Sequence, residues 1–291
     1  MTQADLGLAD AYISGDFSFV DKELGMLNLI MSNELFSLFM DDTMAYSSAV
    51  FKSENEDLRT AQMRKITLLI EKARIEKNHG VLELGCGWGT LAVEVVRRTG
   101  CKYTGITLSI EQLKYAEAKV KEARLEDRIT FKLCDYRQLS DAQKYDRIIA
   151  CEMIEAFTAV PEELYDEIRL SSGFITEYIF PGGCLPSLAR VTSAMSFSSK
   201  LCIEDVENIG IHYYYTLRCW RKRFLENQKQ IMELGFDDKF IRTWEYYFDY
   251  VAAGFKTLTL RSYQIVFSRP GNIAAFGDPF RSFPSALKKQ E

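Results

Sequence analysis

The sequence predicts an α/β fold in which a mostly parallel sheet is wound by helices on both faces. Short apolar runs alternate with amphipathic helical patterns between residues 80 and 150, the rhythm of parallel strands joined by crossover helices. A glycine-rich turn, GCGWGT at 85–90, follows the first apolar run and opens a helical pattern. The 291 residues, 47% hydrophobic and 26% charged, suffice for one large core or two small ones.

Taken in order, residues 57–74 (DLRTAQMRKITLLIEKAR) place Met63, Ile66, Leu69 or Ile70, and Ala73 on one face of a helix. GVLEL at 80–84 is a short buried strand, and LAVEVVRRTG at 91–100 is the next helix. CKYTGIT (101–107), RITFKLC (128–134) and YDRIIA (145–150) read as strands, with the helix SIEQLKYAEAKVKEA (109–123) between the first two. Beyond 150 the rhythm changes. FTAVPEELYDE (157–167) reads as a strand remnant leading into a polar loop, and LCIEDVENI (201–209) as a strand. Residues 213–235 read as one long helix with Gly235 as its C-cap. Residues 239–260 read as a second, aromatic-rich helix, and SYQIVFSRPG (262–271) as a closing strand before an irregular tail. Two segments are expected: a helical N-terminal cap over 1–75 and a ligand-binding α/β domain over 76–291, packed as one unit.

Net charge is −5, which argues against nucleic acid as a partner. No run approaches the ~18 apolar residues of a membrane span, and residues 1–17 lack the pattern of a secretory signal. Seven scattered cysteines without a CxxC pair argue for reduced thiols in a cytosolic chain, with neither a disulfide framework nor a zinc site.

Three strand ends carry the chemistry. Glu83-Leu-Gly85-Cys-Gly87-Trp-Gly89 offers free backbone N–H groups at a helix start, without the Lys-Ser/Thr of a phosphate loop. Glu83 is placed to accept a hydrogen bond from a cationic amino acid. The second strand ends Thr107-Leu108-Ser109 with no acid to hold ribose hydroxyls; Thr107, Ser109 and Gln112 are the polar groups available, and Ser109 with Gln112 equally fits a capping box. Asp135-Tyr136 ends the third strand, where the carboxylate can accept from the exocyclic amine of a purine.

HGVLELGCGWGT, GITLSIEQ, CDYRQL and EYIFPGGCLPS together resemble the cyclopropane-fatty-acid synthase family, in wording nearest its plant members. The resemblance runs from about Ala4 to Asn272. It implies a class I Rossmann-like methyltransferase fold with a helical N-terminal segment and late insertions. S-adenosyl-L-methionine is the implied cofactor, contacted at Tyr46, Ser47, Glu83, Gly85, Gly87, Gly89, Thr107, Leu108, Ser109, Gln112, Asp135 and Tyr136. It further implies methylene transfer to the cis double bond of a phospholipid acyl chain by a cytoplasmic enzyme peripheral to membranes. A bound bicarbonate is the implied base, held here by Glu155, Tyr213 and the Cys position that is Ser48 in Tyr46-Ser-Ser-Ala49. A second family Cys is Val251 here. Clustered aromatics between Tyr213 and Phe255 suit a site that stabilises positive charge. A homodimer is among the expectations, as is the flavoprotein region that plant members often carry in front.

The sequence departs from the family at two places. After the fourth strand the family has a helix and a fifth strand, whereas here Ala156 runs directly into Phe157; a second junction joins Ile30 to Met31. The fifth-strand region is therefore expected to be truncated. Three outcomes compete: a complete protein from which residues are skipped, a poorly folded or inactive form, or a sheet re-formed around FTAV. Function likewise has two alternatives to lipid cyclopropanation. One is a small-molecule, alkaloid-type N-methyltransferase; the other is a non-catalytic cofactor- or lipid-binding remnant.

Overall fold

The computed structural model describes residues 32–140, 142–153, 158–170, 173–180, 183–271 and 283–286. Four parallel strands form the main sheet in the order β3-β2-β1-β4: β1 Gly80–Leu84, β2 Lys102–Thr107, β3 Ile129–Leu133 and β4 Arg147–Ala150. Val81, Leu82 and Glu83 pair with both neighbours, Tyr103, Thr104 and Gly105 on one side and Arg147, Ile148 and Ile149 on the other.

The predicted helices form because their ends are capped. Asp57 accepts from the Thr60 amide to start α2 (Leu58–Ala73), which follows the short α1 (Asn33–Phe39). Helix α3 (Thr90–Thr99) grows straight out of the glycine turn and stops at Gly100, in the left-handed conformation. Ser109 accepts from the Gln112 amide to start α4 (Ile110–Ala123). Ile66, Ile70, Leu91, Val95, Val120 and Ile129 pack with Val81, Tyr103 and Ile149 in one apolar core.

The truncation expected after β4 divides the sheet. Only residues 151–157 separate β4 from β5 (Thr158–Ala159), too few for the dozen or so residues of a parallel crossover. The short β5 pairs antiparallel with β7 (Arg261–Ser268), which also pairs antiparallel with β6 (Cys202–Asn208). Two sheets of four and three strands therefore stand where one continuous sheet was an alternative. Ile148, on the strand left at the edge, is 62% exposed.

Other expectations need correction. PEELYDE is not a loop: α5 (Glu162–Leu170) begins just after Pro161, with Glu162 and Glu163 in its first turn. Ser187 starts α6 (Leu188–Ser198), which the sequence reading missed. The helix expected over 213–235 is two pieces, α7 (Gly210–Glu226) and α8 (Gln228–Glu233). Between them Asn227 spends its side-chain amide on the Leu38 and Arg223 carbonyls, 2.7 and 3.0 Å away. The last helix, α9 (Asp238–Lys256), stops short of residue 260 because Leu260 folds back to donate its N–H to the Gly254 carbonyl at 3.0 Å. Helices α1, α7 and α9 enclose a second core of Phe36, Phe39, Trp220, Phe224, Trp244 and Phe248. The junction between Ile30 and Met31, and most of the tail, lie outside the described residues.

Candidate active site

The C-terminal ends of β1, β2 and β3 converge on the glycine turn, as in ligand-binding α/β sheets. Gly85 and Gly87 take positive φ (73° and 51°), which a side chain would strain. Among the described residues, and apart from its chain neighbours, no atom lies within 4 Å of where a Cβ on Gly87 would project, so this part of the loop is open to a ligand. Gly85 is covered: a Cβ there would lie 2.1 Å from Met153 Sδ. Leu108 and Tyr136, 71% and 55% exposed, stand at the ends of β2 and β3. Large apolar side chains so exposed at strand ends suit a flat ring placed between them.

The polar residues at these strand ends have structural partners. Thr107 Oγ1 donates to Gln112 Oε1 at 2.9 Å and accepts from the Ser109 amide, so both belong to the helix cap. Asp135 caps a 3-10 turn by accepting from the Arg137 amide at 2.8 Å and pairs with the Arg137 guanidinium, which holds its carboxyl down at about 2. It meets a ligand amine only if Arg137 shares it.

A strap, residues 41–51, lies across the loop. Gln62 Nε2 of α2 donates to the Ala45 and Ser47 carbonyls at 3.2 and 2.8 Å. Thr90 Oγ1, at the start of α3, donates to the Thr43 carbonyl at 2.5 Å. The Ala49 amide donates to Thr216 Oγ1 at 3.0 Å and the Phe51 amide to His212 Nδ1 at 3.2 Å, both on α7. The strap thereby presents Tyr46 and Ser47 beside the glycine loop. Tyr46 stacks on Trp220 at 5.0 Å between centroids, and its hydroxyl lies 3.3 Å from that of Tyr247.

A buried carboxylate, a half-buried one and a buried ammonium share this region. Glu83, 2% exposed, accepts from the Tyr103 hydroxyl at 2.9 Å; burial pushes its carboxyl up to about 8. Glu152, just past β4, accepts from the Ser48 amide at 2.8 Å and from the Tyr213 hydroxyl at 3.0 Å. Burial raises it to about 7, against the lowering effect of those donors and of Lys65. Its backbone sits in the left-handed region at φ 57°, uncommon for a residue with a side chain. Lys65, 5% exposed, donates to Ser47 Oγ at 2.5 Å and stabilises the charged forms of both acids.

Beside Glu152 opens a cavity of about 720 Å³. Its lining includes Tyr46, Tyr213, Tyr247, Met153, Phe174 and Val251. Tyr213 stacks on Phe255 at 4.7 Å, so aromatic faces dominate the wall nearest the acid.

The structure thus brings together Tyr46, Ser47, Ser48, Glu83, Gly85, Gly87 and Tyr213, all expected from the sequence. Gly89 instead serves packing, with Ala116 Cβ only 2.9 Å from where its own Cβ would be. Glu155 lies outside the described residues. Glu152, Lys65, Gln62, Met153 and Tyr247 were missed. The spacing of Gln62, Lys65 and Lys72 on one helical face was the available signal, since three polar residues there are all buried.

The strand-end residues fit S-adenosyl-L-methionine: open loop amides, two carboxylates shielded from solvent to different degrees and flanking apolar side chains. The described residues do not fit bicarbonate. The Ser48 amide and Tyr213 hydroxyl both donate to Glu152, and the Ser48 hydroxyl donates to the Ala49 carbonyl at 3.1 Å.

Comparison with known proteins agrees with this geometry. The family model "Mycolic acid cyclopropane synthetase" matches residues 28–166 and 158–265, two segments that overlap at 158–166, just past the shortened connection. The tuberculostearic acid methyltransferase UfaA1 of Mycobacterium tuberculosis is 35% identical over 274 residues, covering 83% of this chain and 64% of that protein. The cyclopropane-fatty-acyl-phospholipid synthase of Escherichia coli is 32% identical over 261 residues, covering 82% of this chain and 66% of that protein. The chain thus spans slightly under two thirds of the length of both. The structure of the cyclopropane synthase MmaA2 from M. tuberculosis superposes with a TM-score of 0.73 at 21% identity, over 83% of this chain and 95% of that one. Coclaurine N-methyltransferase superposes at 0.67 and 20% identity, over 92% and 89%. At these identities the superpositions establish the class I methyltransferase fold. Family match and sequence identity together place the chain in the mycolic acid cyclopropane synthetase family.

Proposed function

We propose that the chain transfers the methyl carbon of S-adenosyl-L-methionine to the cis double bond of an unsaturated phospholipid acyl chain, forming a cyclopropane ring. The observation that carries this reading is the cavity of about 720 Å³ bounded by Met153, beside the glycine loop, and by Glu152 with Tyr46, Tyr213 and Tyr247. When bound, the cofactor supplies an electrophilic methyl group. Glu83, Ser47, Tyr46 and the amides of the 85–89 loop hold it, with Leu108 and Tyr136 flanking its ring. The faces of Tyr46, Tyr213 and Tyr247 stabilise positive charge that develops on the acceptor without trapping it. Apolar walls from Phe174, Val251 and Phe255 exclude water, which would otherwise quench that charge.

Residues on both sides of the shortened connection, Glu152 and Met153 before it and Val160 and Leu164 after it, line the cavity. The pocket is therefore built without a full fifth strand. No helix among the described residues is long and apolar enough to cross a membrane. A cyclopropane-fatty-acyl-phospholipid synthase among the relatives favours a lipid acceptor.

Product analysis tests the reading. The purified chain, supplied with cofactor and vesicles of a monounsaturated phosphatidylethanolamine, is expected to yield acyl chains heavier by one CH2. Methylation of an alkaloid-type amine with no lipid product would select the N-methyltransferase reading. Cofactor binding with no product of either kind would select the non-catalytic one.

A further inference from the structure

We propose that Glu152 itself occupies the anion seat of this site and is the proton acceptor of the reaction, so that the chain works without a bound bicarbonate. This deepens the function proposed above and rests on it for the chemical step.

The argument begins with the donors. A small oxyanion beside the acceptor carbon needs N–H or O–H groups converging on it. Among the described residues two groups converge there, the Ser48 amide from the strap and the Tyr213 hydroxyl from α7, and both end on the same carboxylate, at 2.8 Å on Oε1 and 3.0 Å on Oε2. The Ser48 hydroxyl is turned away to the Ala49 carbonyl. Each oxygen of Glu152 thus has one donor, and neither donor is left for a second anion.

The shortened connection explains how the acid comes to be there. With only 151–157 between β4 and β5, the chain turns sharply at the end of β4, and Glu152 adopts φ 57°. That conformation costs on the order of 1 kcal/mol for a residue with a side chain. It aims the carboxylate inward, where it lines the cavity between Tyr46 and Tyr213.

The chemistry balances with the carboxylate as acceptor. Once a methyl group has joined one alkene carbon, the other carries the positive charge. Glu152 takes a proton from the methyl carbon, and the electron pair of that C–H bond closes the third C–C bond of the ring. The carboxylate becomes a carboxylic acid, and the charge on the acceptor is discharged. An acid raised to about 7 is poised for this, being partly ionised at neutral pH yet basic enough to accept. Among the described residues the groups facing Glu152 from neighbouring elements are Lys65 on α2, Tyr46 and Ser48 on the strap, Tyr213 on α7 and Tyr247 on α9; of these Lys65 alone is a basic side chain, and it lowers the acid.

Two measurements test the seat and the step separately. The first titrates 13C-bicarbonate into the wild-type chain and into Glu152→Ala, following the carbon resonance. Wild type is expected to leave the resonance unbroadened, and Glu152→Ala to broaden it by freeing both donors. Saturable broadening with wild type overturns the proposal, whatever the variant does. The second measures lipid product in carbonate-free buffer and after adding bicarbonate. Rates are expected to agree within two-fold, and Glu152→Gln is expected to lose at least a hundred-fold while still binding S-adenosylhomocysteine. Rates that collapse without bicarbonate and return with it overturn the proposal. Absence of lipid product in every arm would instead overturn the lipid reading, leaving the titration to decide the seat.

Discussion

Replacing Lys65 by methionine should move the pH profile of turnover toward higher pH. The ammonium is buried, donates to Ser47 Oγ at 2.5 Å and lowers both Glu152 and Glu83 from where burial alone would put them. Methionine keeps most of the volume and removes the charge, at a site where burying an ammonium is itself costly. Loss of an opposite charge at close range raises a carboxylate by about 1–3 units. Taking one unit, roughly 1.4 kcal/mol, Glu152 moves from about 7 to about 8. At pH 7 the ionised fraction then falls from about a half to about a tenth, a roughly five-fold loss of turnover that reappears near pH 9. The assay is initial rate of lipid product from pH 6 to 9.5 at saturating cofactor. A uniform loss with an unmoved midpoint would refute the reasoning and make Lys65 a purely structural tie for Ser47.

Three further outcomes follow from the same geometry. Glu83 and Glu152 are held at about 8 and 7, above their unfolded values near 4.5, so the folded chain binds more protons between those limits. Stability should therefore fall as pH rises from about 5 to 8, by on the order of a few kcal/mol, and Glu152→Gln should flatten that fall in thermal melts. Met153→Ala uncovers Gly85 and should tighten S-adenosylhomocysteine binding several-fold by isothermal titration; unchanged affinity would place the ligand away from Gly85. Lys72→Met removes the ammonium that lies 2.6 Å from Glu207, a pair in which both side chains are under 10% exposed. Removing one partner of such a pair costs roughly 3–5 kcal/mol, and the low end is expected because Glu207 keeps the Ser285 hydroxyl and Ala286 amide. A melting temperature unchanged by this variant would contradict that burial.

The first half of the fold was legible because its signals are local. Asp57 and Ser109 cap helices within their own sequence neighbourhood, and the apolar runs at 80–84, 101–107 and 145–150 are strands, the last two flanking the first. The glycine turn announced the cofactor loop for the same reason. What was misread depends on contacts across the chain. The break at Asn227 is set by the Leu38 carbonyl, 189 residues away. The end of α9 is set by Leu260 folding back onto Gly254, not by any breaker residue. The burial of Lys65 is intelligible only once the strap lies over it. Glu152 was passed over because the family resemblance pointed to Glu155, which lies outside the described residues. The shortened connection itself was visible in the sequence, and the divided sheet is its physical consequence.

The central claim is one-carbon transfer with loss of a proton from the transferred carbon. It is tested most directly with S-adenosylmethionine carrying a fully deuterated methyl group, unsaturated phospholipid vesicles and mass spectrometry of the released acyl chains. The account predicts acyl chains that gain CD2, with the third deuterium lost through Glu152. Gain of an intact CD3 group, on lipid or on an amine, would contradict ring closure and make the protein a simple methyltransferase.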